Sequence, residues 1–128
     1  MSFILVSQKG EDLQVNAWNW RPTLMLLLEE NAITEEDYER MGAQGCGGIV
    51  DKAKAEQIAD VVTQKLISMK PGERMRSNLS VTKELKRPAV FSTDVIDDID
   101  VNELYSVTYE WLEIFLQFCR TSGGFKVM

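Results

Sequence analysis

Apolar positions along the chain follow two different periods. Near the start, Phe3, Ile4, Leu5 and Val6 form a continuous run. Gln8 to Asp12 then supply turn residues, and Leu13, Val15 and Ala17 alternate with Gln14 and Asn16. Two short extended segments around a polar turn predict a β-hairpin. From Pro22 the pattern becomes helical, with Leu24, Met25, Leu26, Leu27 and Leu28 ahead of Glu29 and Glu30. A largely buried helix over residues 22–31 is expected, with Pro22 in a first turn that does not need its missing N–H.

Thr34 followed by Glu35, Glu36 and Asp37 has the form of a helix cap with acids in the first turn, and predicts a short helix over 35–41. The glycine-rich stretch 42–48 interrupts the pattern. Asp51 then offers a cap for a long helix in which Ala55, Ile58, Ala59, Val62, Leu66 and Met69 recur at helical spacing, and Pro71-Gly72 ends it. Residues 73–87 carry isolated Leu79, Val81 and Leu85 among polar neighbours and are expected to form a loop with one edge strand. A final helix, capped by Asn102, is expected to gather Leu104, Val107, Trp111, Phe115 and Phe118 on one face and to close at Ser122-Gly123-Gly124. Phe125 to Met128 would add a last short strand. The sum is an α+β domain, an N-terminal hairpin packed on three to four helices, with an all-α bundle as the competitor. The final and middle helices should form the core pair.

At 128 residues the chain suits a single domain, and 45% hydrophobic with 27% charged residues is a globular composition. No apolar run approaches the roughly 20 residues of a membrane helix, and the N-terminal run is too short for a signal peptide, so no membrane partner and a cytoplasmic location are expected. A net charge of -6 argues against general nucleic-acid binding, which needs basic surface to displace counterions from phosphates. It suits solubility or a basic protein partner.

The sequence contains no histidine. That removes the commonest general base, every Ser-His or Cys-His nucleophile pair and all histidine-containing zinc sites. Its two cysteines, Cys46 and Cys119, cannot supply a four-thiolate zinc site and are expected to be free thiols. The 42–48 loop matches neither GxGxxG nor GxxxxGK[ST] and follows a helix, so it reads as a connector or a partner-binding loop that presents Cys46. No cofactor or metal site is expected, and the protein is not expected to be an enzyme.

Acids collect in two places. Asp94, Asp97, Asp98, Asp100 and Glu103 form one run; Glu29, Glu30, Glu35, Glu36, Asp37 and Glu39 form another. Each reads either as solvated helix-end charge or as a docking patch for a basic partner. Lys65, Lys70, Arg74, Arg76, Lys83, Lys86 and Arg87 form a basic stretch without aromatic residues to stack a base. Trp18 and Trp20, two apart, would point to one face of an extended strand, either into the core or toward a partner, with Arg21 beside them.

The segments Asn16-Ala17-Trp18-Asn19-Trp20-Arg21-Pro22-Thr23-Leu24 and Trp111 to Phe125 resemble a group of small uncharacterised bacterial proteins, some of which look like immunity proteins that neutralise a toxin delivered by a neighbouring cell. The resemblance implies a stoichiometric inhibitor that occludes a toxin domain. Its candidate partner-binding residues are Asp94, Asp97, Asp98, Asp100, Glu103, Glu35, Glu36, Asp37, Cys46 and Trp20. The alternatives are a self-associating structural or adaptor module and a histidine-free enzyme working through carboxylates.

Overall fold

The computed structural model describes residues 2–43, 48–76, 78–83 and 106–128. The chain is α+β. Strands β1 (Ser2–Ser7) and β2 (Leu13–Asn16) form the expected hairpin, with Phe3 opposite Val15 and Leu5 opposite Leu13. The turn is tied locally: Asp12 accepts from the Ser7 N–H at 3.0 Å, and the Ser7 hydroxyl accepts from the Gly10 N–H at 2.9 Å.

Helix α1 spans Ala17–Glu29 and begins five residues earlier than the apolar period suggests. Asn16, the last residue of β2, is the reason. Its side chain accepts from the Asn19 N–H at 2.9 Å and caps the helix directly at the end of the strand. Trp20 therefore lies on a helix rather than on an extended strand, and Pro22 sits inside the helix. An interior proline costs about 3 kcal/mol, and burial of Trp20, Leu24, Leu26 and Leu27 on the same helix offsets it.

Helix α2 (Glu35–Tyr38) opens with the capping box that Thr34 and Asp37 predict: the Thr34 hydroxyl accepts from the Asp37 N–H, and the Asp37 carboxylate accepts from the Thr34 N–H. A π-helical turn, Glu39–Ala43, continues it. Strand β3 (Gly48–Val50) has no counterpart among the expected elements; three residues are too few to display a period. Helix α3 (Lys52–Ile67) is capped by Asp51 as expected and buries Ala55, Ile58, Ala59, Val62 and Leu66.

The region after α3 departs furthest from the sequence pattern. Strands β4 (Arg74–Arg76), β5 (Val81–Thr82) and β6 (Ser106–Thr108) form a small antiparallel sheet in the order β5-β4-β6. Val107 belongs to β6, opposite Met75, and not to the final helix. Its spacing to Trp111 imitates a helical turn, but Thr108 is the cap: its hydroxyl accepts from the Trp111 N–H at 3.0 Å. Helix α4 consequently spans Tyr109–Thr121. Asn102 and Leu104 lie outside the described residues.

Strand β7 (Phe125–Val127) is interior to the larger sheet, whose order is β2-β1-β7-β3. Phe3, Leu5, Val15, Val50, Phe125 and Val127 are buried on its inner face, under the helices. Helices α3 and α4 pack against each other as the expected core pair, with the Arg120 guanidinium donating to the Thr63 hydroxyl at 3.1 Å across them.

Gly124 makes the reversal from α4 into β7 possible. Its φ is +113°, and a Cβ there would lie 2.8 Å from the Val50 carbonyl oxygen, a backbone atom that cannot swing aside. Gly124→Ala should lower the denaturation midpoint by roughly 1–3 kcal/mol equivalent; equilibrium urea unfolding measures it.

Candidate functional site

The surface with the most distinctive chemistry surrounds the C-terminal end of α1. The helix stops because Asn31 adopts a left-handed conformation, φ 60°, which asparagine tolerates better than most residues. The Ala32 N–H returns to the Leu27 carbonyl at 2.8 Å, and Ala32 and Ile33 re-enter the core. Glu29 and Glu30 are left exposed at the end of α1, and the Thr34 capping box places Glu35 and Glu36 nearby on α2.

Two grooves lie at the end of α1, one lined by Glu29 and the other by Glu30. One, of about 490 Å³, has Leu28 and Ile33 in its lining with Glu29 and Glu35 beside them. The other, of about 400 Å³, is lined by Leu26, Val61, Gln64 and Ser68 together with Glu30, Asp60 and Lys65, whose ammonium donates to the Leu79 carbonyl at 2.9 Å. Among the described residues, the grooves together gather four carboxylates, one lysine and walls that are partly apolar. Asp60 joins from α3, thirty residues away in the chain, and reading acids as runs along the sequence misses it. Its signal is its position on the polar face of α3, between buried Ala59 and half-buried Val61.

The acids differ in what they do for the fold. Asp37 is internal to it, capping α2 and pairing with the Lys54 ammonium of α3. Burial tends to raise its pKa, but the Lys54 hydrogen bond, the Thr34 N–H, the Lys54 charge and the Thr34 hydroxyl together hold it below the usual carboxylate value. Glu36 pairs with Arg40 one helical turn on. Among the described residues, the carboxylates of Glu29, Glu30, Glu35 and Asp60 take part in no ion pair. Glu29 and Glu30 also lie at a helix C-terminus with no basic residue in its last turn, where the dipole is already negative.

Trp20 is 1% exposed, and its indole N–H donates to the Met41 carbonyl at 2.9 Å. Its side chain is committed to the core and cannot anchor a partner in this conformation. Cys46, Asp94, Asp97, Asp98, Asp100 and Glu103 lie outside the described residues, as does the 44–47 part of the glycine loop. Cys119 is a free, buried thiol whose pKa burial pushes up, so it lacks the thiolate character that nucleophilic chemistry needs. Among the described residues no group of three or more His, Cys, Asp or Glu is placed to hold a metal ion, and no helix is long and apolar enough to cross a membrane. No family model, curated protein or solved structure matches the chain.

Two predictions follow the side chains. Asp37→Asn keeps an acceptor for the Thr34 N–H but loses the charge opposite Lys54. Because the folded pKa is depressed, the ionised form's contribution is present above the ordinary carboxylate range and lost as pH falls through the folded value. The variant should therefore be less stable by about 1 kcal/mol at pH 7, and the difference should close at pH 2–3 in paired urea titrations. Cys119 should resist alkylation at pH 8 in the native protein and react on unfolding, read by mass spectrometry of its peptide.

Proposed function

We propose that this protein is a stoichiometric binding protein of the immunity or antitoxin type, which neutralises a basic toxin domain by docking on it and occluding its working surface. The observation that carries the reading is the placement of Glu29, Glu30, Glu35 and Asp60 around two grooves with partly apolar walls, in which the one cation among the described lining residues, Lys65, is engaged by the Leu79 carbonyl. A stability argument alone gives no reason for Glu29 and Glu30 where they are. Acids at a helix C-terminus cost about 0.3–1 kcal/mol each, whereas Asp37 and Glu36 sit where the fold benefits from them. Unpaired acids around apolar walls suit a partner with lysine or arginine surrounding an apolar patch: the charges speed encounter and set register, and the apolar contact holds the complex. The net charge of -6 acts in the same direction at longer range.

Charge reversal separates this role from a structural one. In Glu29→Lys/Glu30→Lys the new cations complement the α1 dipole, so the fold should become more stable by several tenths of a kcal/mol. Binding to the product of a neighbouring toxin gene should weaken on the order of 100-fold, with most of the loss recovered at high salt. Calorimetry of the purified pair, with growth protection on co-expression, measures both. A toxic neighbour product that the wild-type chain neither binds nor neutralises would overturn the proposal.

A further inference from the structure

The groove between α1 and α3 has a charge balance that its own residues leave open. Glu30 stands on one wall and Asp60 on the other, and neither carboxylate takes part in an ion pair among the described residues. Lys65 of the same groove is half-buried, and its ammonium donates to the Leu79 carbonyl at 2.9 Å, in the turn between β4 and β5. Leu79 holds that turn with φ 72°, a left-handed conformation that leucine rarely adopts. Lys65 is thus committed to a second element, and two carboxylates against one ammonium leave one negative charge uncompensated in the groove. The α1 dipole adds to it: the helix brings its negative end to Glu30, with no basic residue in its last turn. At about 400 Å³ the groove holds less than one turn of a helix, which at ~10–12 Å across fills roughly 500 Å³. It is sized for a side chain.

We infer that this groove seats a single guanidinium, an arginine side chain that the basic partner inserts between α1 and α3; the inference rests on the docking role proposed above and names what that role recognises at this point. The uncompensated charge calls for one cation, and the arrangement selects arginine over lysine. The two carboxylates belong to different helices, so the donor must serve acceptors on two sides at once. A guanidinium does so with five N–H groups in a rigid plane. An ammonium is a compact, strongly hydrated point charge that would give up more water for fewer bonds. Leu26 and Val61 offer apolar surface to the methylene stem, while the charged head stays at the exposed carboxylates. Gln64, one helical turn on from Asp60, adds a neutral acceptor.

Titration of the isotope-labelled full chain with N-acetyl-arginine amide and, separately, N-acetyl-lysine amide, followed by nuclear magnetic resonance, tests the seat without a toxin. The arginine amide should shift the Val61 and Gln64 backbone resonances with a dissociation constant on the order of 10 mM, and the lysine amide should bind at least ~5-fold more weakly. Asp60→Asn, at an exposed position on α3, should weaken the arginine amide roughly 10-fold with an unchanged circular dichroism spectrum. Glu35→Gln, in the other groove, should leave its affinity within about 2-fold. Equal binding of the two amides, no shift at Val61 or Gln64 up to ~100 mM, or shifts undiminished in Asp60→Asn would each overturn the inference. The two readings fail separately. A toxin product that binds the wild type and Asp60→Asn alike overturns the arginine seat and leaves docking intact; one that binds neither overturns docking, while the amide titration still decides the seat.

Discussion

The burial of Trp20 is the constraint on which the other elements depend. Its indole N–H would be stranded in the core without an acceptor, at a cost of about 1–3 kcal/mol. The Met41 carbonyl in the π-helical turn meets it, so that turn is held against α1. The ring meets Phe115 edge-on at 5.7 Å; Phe115 is stacked by Trp111 at 5.4 Å and meets Phe125 edge-on at 6.4 Å. Phe118 completes the cluster against Phe125. Through these rings, α1, the turn after α2, α4 and the interior strand β7 are fixed relative to one another. Each aromatic pair adds roughly 0.5–1.5 kcal/mol beyond the area it buries.

The proposed docking surface depends on that arrangement. The acids at the end of α1 share a groove with Asp60 only because α1 lies beside α3, and with Glu35 because Asn31 turns the chain back toward α2. The ion pair of Asp37 with Lys54 then ties α2 to α3 on the same side. Fold-stabilising acids and unpaired acids alternate within a few residues. Charge density along the sequence does not distinguish them, because the difference is whether a cation or an N–H from another element meets each carboxylate.

The local elements were legible in the sequence wherever a cap and a period agreed: the 2–16 hairpin, the Thr34 box, the Asp51-capped helix and the glycine-closed end of α4. Side-chain hydrogen bonds within five residues and glycine backbone conformation fix these, so a linear string carries the information. Where a rule was satisfied twice, the sequence misled. Pro22 fits a first turn as well as an interior one, and Val107 fits a helical face as well as a strand, until Asn16 and Thr108 emerge as the caps that are used. Strands β3, β4 and β6 are too short to show a period and exist because partners elsewhere in the chain supply their hydrogen bonds. Composition, charge and the absence of histidine belong to the sequence alone. Which acids stand unpaired, that Trp20 is core, and that Glu30 and Asp60 line one groove were decided by tertiary structure, because each depends on what a distant segment places opposite them.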